Sequence, residues 1–155
     1  MDAKEYLTYR ASGNLKTTRD DASLTFLYDV KHGRWSKSLC KMLGVDMQHL
    51  PEICDSTDQL GGLTAQSAAE LGLVEGTPVI AGGGDVSLCQ VGAGCVDVGD
   101  VHVYSGTSGW VCTTVDKLHL DLEHLIGSIA GADPDTYNYI AEAETAGKCM
   151  EWVKE

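Results

Sequence analysis

The spacing of apolar residues along the chain predicts short helices that alternate with short strands. In residues 36–43, Leu39, Met42 and Leu43 recur at intervals of three and four, the spacing of a helix face, and Ser36 is placed to cap it. Alternation of helices and strands indicates the α/β class. The predicted helices cover residues 4–10, 36–43, 46–50, 64–71, 85–92 and 145–154, and the predicted strands cover 77–81, 101–104, 110–115 and 137–141.

The pattern of some segments is compatible with more than one secondary structure. Residues 23–30 mix β-branched, aromatic and apolar side chains and fit either a strand or a short buried helix. Residues 55–62 fit a loop or the end of a strand. The strands at 101–104 and 110–115 alternate on either side of a glycine-flanked turn, which predicts a β-hairpin. In the last helix we expect Met150 and Val153 to point inward.

Composition and charge narrow the classes of function. The chain has 155 residues, 43% of them hydrophobic, and a net charge of −12 from 23 acidic and 11 basic residues. Such a surface repels phosphate backbones and anionic lipid, so we expect neither a nucleic-acid nor a membrane partner. No apolar run approaches the roughly 20 residues that span a bilayer. The polar N-terminus does not resemble a signal peptide, and the expected location is cytoplasmic.

The six cysteines and five histidines do not suggest a metal site. The cysteines are scattered without a Cys-x-x-Cys pair, so we expect them to be buried small hydrophobes rather than disulfides or zinc ligands. His119 and His124 are five residues apart, which does not place them on one helical face as a zinc pair would require.

Residues 82–85, here called the glycine–aspartate loop, are the first candidate for chemistry. They read Gly82, Gly83, Gly84 and Asp85, between a predicted buried strand and a predicted helix. Glycines permit close approach of a ligand or another backbone, and a helix start favours a negative charge. Asp85 could then accept a proton from a substrate hydroxyl. The alternative is that Asp85 only caps the helix.

Residues 106–109, here called the hairpin turn, are the second candidate. Gly106, Thr107, Ser108 and Gly109 expose backbone N–H groups and add two hydroxyls, which together can bind phosphate oxygens. The alternative is an ordinary turn. Neither loop matches a better-known nucleotide motif, because no Gly-Lys-Ser/Thr follows as in a Walker A loop and Ser87 stands where a dinucleotide fingerprint has its last glycine.

The order and spacing of these two loops resemble the FGGY family of carbohydrate kinases, most of all its xylulokinase-like members. The similarity covers essentially the whole chain, although Ala11 and Ser12 replace the Leu-Thr pair usual in the family. The segments that carry it are residues 6–13, 21–23, 33–35, 76–85, 91–94, 99–110 and 144–147.

The resemblance implies an actin-like (ribonuclease H-like) fold of two domains across a cleft. Residues 1–96 would be the end of the first, sugar-binding domain and 97–155 the start of the second, ATP-binding domain. Asp85 maps onto the catalytic base, and Asp85 with Gly84 would contact the sugar. Gly106, Thr107, Ser108 and Gly109 map onto a phosphate-binding turn for Mg-ATP. Asp85 would face the metal only indirectly, through Mg-ATP, and a homodimer is an expected assembly.

Three hypotheses follow. The first is that the chain is an internal part of an ATP-dependent sugar kinase, inactive alone, because the family's first phosphate motif and its adenosine-binding segment are not in this sequence. The second is a stand-alone sugar- or nucleotide-binding module on the same scaffold, which would fold cooperatively by itself. The third is another actin-like ATPase, such as a chaperone or filament protein, which the arrangement of the two loops argues against.

Overall fold

The computed structural model describes residues 2–154, so Met1 and Glu155, the outermost residues of the two expected domain segments, lie outside it. The helices are α1 (Ala3–Ser12), α2 (Arg19–Leu24), α3 (Lys37–Leu43), α4 (Ala65–Leu71), α5 (Asp85–Gly92) and α6 (Gly147–Lys154), with a 3₁₀ turn at Met47–His49. The strands are β1 (Lys16–Thr18), β2 (Tyr28–Asp29), β3 (Arg34–Trp35), β4 (Glu52–Cys54), β5 (Gln59–Gly62), β6 (Pro78–Ile80), β7 (Val101–Ser105), β8 (Gly109–Val115), β9 (Leu120–Asp121), β10 (Ile126–Ala130) and β11 (Tyr137–Ala143).

The strands after α5 form one antiparallel sheet in the order β7-β8-β11-β10-β9. Those before α5 form three short pairs: β1 with β4 in parallel, and β2 with β3 and β5 with β6 antiparallel. The predicted hairpin is confirmed, with Ser105 paired to Gly109 across the turn. Helices and strands are mixed throughout the described residues, which confirms the α/β class.

Local capping signals located the helices well. The Ser36 hydroxyl accepts the Leu39 N–H at 3.4 Å at the start of α3, and the Thr64 hydroxyl accepts the Ser67 N–H at 3.2 Å before α4. Both helices end on a glycine in the left-handed conformation, at Gly44 and Gly72 with φ 68°. A residue with a Cβ is strained there, which explains why each helix stops where it does.

The expectation for residues 23–30 was wrong in both of its forms. Ser23 and Leu24 close helix α2, and only Tyr28–Asp29 is a strand. The helix ends because the Thr25 hydroxyl donates to the Ala22 carbonyl at 2.6 Å and Phe26 then turns into the left-handed region at φ 58°. The apolar run therefore crosses a chain reversal that periodicity cannot detect.

Two expectations about burial also need correction. Met150 and Val153 do not point inward, because each is 74% exposed. Of the cysteines, Cys40, Cys54 and Cys112 are buried as expected, but Cys95 is half-buried and Cys89 and Cys149 are exposed; all six are free thiols. Burial raises the pKa of the Cys112 thiol to about 11, so it stays protonated at neutral pH.

The large sheet joins the earlier part of the chain through buried polar contacts. From α5, the Gln90 amide donates to the Thr114 hydroxyl on β8, while its oxygen lies 3.1 Å from the Cys112 sulfur. Ser87 accepts from the Asn138 amide on β11 at 3.0 Å. A small apolar cluster around Ala22, Tyr28 and Ala130 continues this contact at α2. Helix α5, which begins in the glycine–aspartate loop, is thus fixed against the sheet that carries the hairpin turn.

Candidate active site

The glycine–aspartate loop ends in an exposed carboxylate. Strand β6 leads through the buried Ala81 into the loop, where Gly84 is the N-cap residue and Asp85 the first residue of α5. One Asp85 oxygen accepts the N–H of Val86 at 2.8 Å. Because Gly84 occupies the cap position, the alternative in which Asp85 serves only as the N-cap does not describe this structure. Asp85 is exposed, and within residues 2–154 its side chain makes no other hydrogen bond and no ion pair.

Buried carboxylates explain why the loop is made of glycines. A Cβ on Gly83 would lie 2.7 Å from an oxygen of Asp20, and a Cβ on Gly84 would lie 2.6 Å from an oxygen of Asp21. Gly82 has φ +72°, where other residues are strained. The close approach predicted for these glycines is therefore made by two aspartates of the chain itself.

Those aspartates belong to a group of buried charges that we call the acid cluster: Glu5, Asp20 and Asp21, with Lys4. Glu5 and Asp20 are each 1% exposed. The Lys4 ammonium lies 2.9 Å from Asp21 Oδ2 and 3.1 Å from Glu5 Oε1. The Lys4 ammonium thus pairs with two carboxylates, while Asp20 has no cation within 4.0 Å in the described residues.

The pKa values in the acid cluster follow from burial and from Lys4. Burial alone would lower the pKa of Lys4, but its hydrogen bonds and charge pairing with Asp21 and Glu5 raise it overall. For Asp21, burial dominates and raises the pKa against the opposing effect of Lys4. For Glu5, burial by itself would raise the pKa, but Lys4 and the Thr17 hydroxyl together hold the pKa below its usual range.

The hairpin turn is braced by the start of α6. The Gly106 carbonyl accepts the Gly147 N–H at 2.8 Å, and the Thr107 carbonyl accepts the Ala146 N–H at 2.9 Å. A Cβ on Gly147 would lie 2.5 Å from the Gly106 oxygen, so a glycine is required there. Residues 106–109 and 144–147, both singled out in the sequence, therefore meet in space.

The two central residues of the hairpin turn have free hydrogen-bond donors. The Gly106 N–H donates to the Ser108 carbonyl at 2.9 Å, but within residues 2–154 neither the backbone N–H nor the hydroxyl of Thr107 or of Ser108 has a hydrogen-bond acceptor. Below the turn, the Tyr104 and Trp110 rings stack with centroids 3.8 Å apart. Free donors on a supported turn fit the phosphate oxygens that the sequence predicts here.

The structure does not bring the two loops into direct contact. No hydrogen bond or ion pair in the described part of the chain joins Asp85 to residues 106–109. The loops are related through α5, which begins at Asp85 and packs on β8, the strand that begins at Gly109. Asp85 is exposed at one end of this connection, and the free donors of Thr107 and Ser108 lie at the other.

Neither loop holds a metal by itself. Over residues 2–154, no three His, Cys, Asp or Glu side chains are grouped to bind an ion. The expected indirect relation of Asp85 to magnesium, through Mg-ATP, stays a prediction. In the same residues no helix is long and apolar enough to cross a membrane.

Sequence reasoning missed the acid cluster. Asp21 was noted only as part of a family motif, and Lys4, Glu5 and Asp20 received no role. The available signal was the pair Asp20 and Asp21 soon after Thr18, a pattern typical of a helix start rich in negative charge. Nothing in the sequence shows that this helix start lies under the glycine–aspartate loop more than sixty residues later, since Gly84 and Asp20 are separated by 64 positions.

Comparison with solved structures defines the class of protein. The chain superposes on a xylulose kinase from Lactobacillus acidophilus with a TM-score of 0.89 and 26% identity, covering 98% of this chain and 31% of that one. It superposes on a gluconate kinase from the same organism with a TM-score of 0.91 and 25% identity, covering 100% and 31%. These likenesses confirm the α/β, actin-like ATPase fold, of which this chain holds a part.

Sequence comparison then gives the family. The model of the FGGY family of carbohydrate kinases, N-terminal domain, matches residues 1–92. The xylulose kinase of Bacillus subtilis (strain 168) is 28% identical over 151 residues, which is 97% of this chain and 30% of that protein. This chain belongs to the FGGY family, as its motifs suggested, and it spans about 30% of the length of the relative.

Proposed function

We propose that this chain is part of a longer enzyme that transfers the γ-phosphate of ATP to a hydroxyl of a sugar. The observation that carries the proposal is the exposed Asp85 carboxylate at the start of α5, on a glycine loop that buried groups hold in place. Family membership supports the reaction class. Names of relatives such as xylulose kinase and gluconate kinase suggest a ketose such as xylulose, or a related sugar or polyol, as acceptor.

In the proposed reaction, Asp85 accepts the proton of the attacking sugar hydroxyl. The hydroxyl oxygen then bonds to the γ-phosphorus while the bond from phosphorus to the β,γ-bridging oxygen breaks. Bound Mg-ATP supplies the phosphoryl group and neutralises charge on its oxygens. The sugar lies beside Asp85 and Gly84, and the hairpin turn (Gly106, Thr107, Ser108 and Gly109) binds the phosphates through the free donors of Thr107 and Ser108. The protein's contribution is chiefly positioning and electrostatic stabilisation.

We further propose that residues 1–96 end the sugar-binding domain and that 97–155 begin the ATP-binding domain. The change from small strand pairs to one five-stranded sheet after α5 supports that boundary. The exposed apolar side chains support a larger protein over a stand-alone module. Large patches of this kind are normally covered in soluble proteins. They include Phe26 at 82% exposure, Leu122 at 74%, Leu125 at 85%, Trp152 at 76% and Met150 at 74%.

The reaction is tested with the full-length protein in a coupled assay of ADP release. The panel contains D-xylulose, D-ribulose, gluconate and glycerol, each with Mg-ATP, and a mixture without sugar as the baseline. We expect ADP release well above the baseline with at least one sugar. Release at the baseline with every acceptor, from protein that is folded and binds ATP, would contradict the proposed reaction and favour a non-catalytic binding protein.

The hairpin turn has its own test in the same assay. Replacing both Thr107 and Ser108 by alanine removes two hydroxyl donors, each worth about tenfold when its acceptor is charged. We therefore expect the KM for ATP to rise on the order of tenfold or more, with the KM for the sugar little changed. Ser105→Ala, an exposed change at the end of β7, is the matched control. An unchanged KM for ATP in the double variant would contradict the proposal that this turn binds the phosphates of ATP.

A further inference from the structure

Asp20 is a buried carboxylate whose contacts lead to the glycine–aspartate loop. It is 1% exposed, and its Oδ2 accepts the backbone N–H of Gly84 at 2.7 Å. Its Oδ1 lies 3.4 Å from the Ser56 hydroxyl. A buried carboxyl group without hydrogen-bond partners is costly, so the Gly84 N–H at the start of α5 and the Ser56 hydroxyl compensate for the burial of Asp20.

We propose that Asp20 is a positioning residue for Asp85 in the reaction. The inference rests on the proposed function, because it assigns Asp20 to the orientation of the group that takes the proton. Gly84 is the N-cap residue of α5 and directly precedes Asp85. A hydrogen bond to the Gly84 N–H fixes the direction in which α5 begins, and with it the place of the Asp85 side chain.

The loop is held from a second side, which makes the restraint specific. While Asp20 holds the Gly84 N–H, the Asp21 carboxylate lies against the Gly84 Cα, where a Cβ would come within 2.6 Å. Asp21 cannot withdraw freely, because Lys4 pairs with it at 2.9 Å and the Thr18 hydroxyl donates to it at 3.2 Å. Asp20 and Asp21, adjacent residues of α2, thus restrain Gly84 from two sides. Errors in position of about 1 Å at a reacting group can lower turnover on the order of a hundredfold.

The test compares Asp20→Ala, Asp20→Asn and Ser56→Ala in the full-length protein. We expect kcat to fall about a hundredfold in Asp20→Ala and about tenfold in Asp20→Asn, which keeps an acceptor but loses the charge. The expected loss in Ser56→Ala is smaller, about threefold. The KM for ATP should change less than about twofold throughout, because the hairpin turn is not altered. Asp116→Asn, exposed after β8, is the control for loss of an acidic charge.

Hydrogen exchange separates this role from simple loss of stability and from failure of the proposed reaction. Measured well below the unfolding midpoint, the Gly84 amide should exchange about tenfold to a hundredfold faster in Asp20→Ala, while amides of α1 and β8 keep their rates. Faster exchange with unchanged kcat would overturn the catalytic part of the inference. Unchanged exchange at Gly84 would overturn the positioning itself, even if the wild-type protein phosphorylated no sugar. If Asp20→Ala does not fold, kcat and the exchange rate of the Gly84 amide are measured in Asp20→Asn and Ser56→Ala instead.

Discussion

Asp85→Ala should lower kcat of the full-length protein on the order of a thousandfold, which is within the range for removal of a general base. Asp85 is exposed and bonds only to the neighbouring Val86 N–H in the described residues, so its loss should leave folding nearly unchanged. ATP binding should be largely retained, because the phosphate donors lie on the hairpin turn. The measurements are steady-state kinetics with the preferred sugar and ATP affinity by calorimetry.

The control for this prediction is Asp116→Ala, which removes an exposed aspartate from the turn after β8. It should retain kcat within about twofold, since exposed substitutions away from a site usually have small effects. An Asp85→Ala enzyme with near wild-type turnover would show that another group takes the proton. A loss of ATP binding equal to the loss of turnover would instead assign Asp85 to the nucleotide site.

Lys4→Met should lower the free energy of unfolding of the full-length protein by about 3 kcal/mol at pH 7, as expected when a buried ion pair loses one partner. The Lys4 side chain is 23% exposed, and its removal leaves Glu5 and Asp21 without their cation. Methionine has nearly the same shape, so the loss is mostly electrostatic. Urea unfolding of both proteins measures the difference.

The matched control is Lys16→Met. Lys16 pairs with Glu52 at 2.8 Å, but the two side chains are 33% and 70% exposed, so the loss should be below about 1 kcal/mol. Equal effects of the two substitutions would show that the acid cluster is no more important than a surface pair.

The pH dependence follows from the shifted pKa values. Glu5 has a lowered pKa in the folded state, so its contribution is present above its unfolded pKa of about 4.3 and is lost as pH falls through the folded value. Asp21 has a raised pKa, so its contribution is present below its unfolded pKa and is lost as pH rises through the folded value. Both carboxylates pair with Lys4, so the difference in free energy of unfolding between wild type and Lys4→Met should shrink as pH falls through the raised pKa of Asp21 and then the lowered pKa of Glu5.

Local chemistry accounts for the parts of the fold that the sequence predicted correctly. Caps such as Ser36 and Thr64 and the left-handed glycines at Gly44 and Gly72 act within a few residues, so a window of sequence contains all the relevant interactions. The β-hairpin followed from the same kind of local signal. The error in residues 23–30 arose at Phe26, where a residue other than glycine takes the left-handed conformation and reverses the chain, which the spacing of apolar residues does not show.

Burial was the second source of error. The pattern of α6 placed Met150 and Val153 inward, yet both are exposed, because the contacts of α6 with the hairpin turn are made by its backbone N–H groups. Periodicity shows that a helix has an apolar face but not what lies against that face. The same holds for Cys89 and Cys149, whose exposure depends on neighbours that a single sequence does not reveal.

The sequence alone determined the class of fold, the family, and the two loops in which the chemistry is proposed to lie. Glycines, helix caps and the order of the motifs can be recognised from residues that are adjacent in the sequence. Only the tertiary structure decided what surrounds those loops. It placed Asp20 and Asp21 under Gly83 and Gly84, and the start of α6 against Gly106. Contacts across 64 positions depend on how the whole chain packs, and no local pattern specifies them.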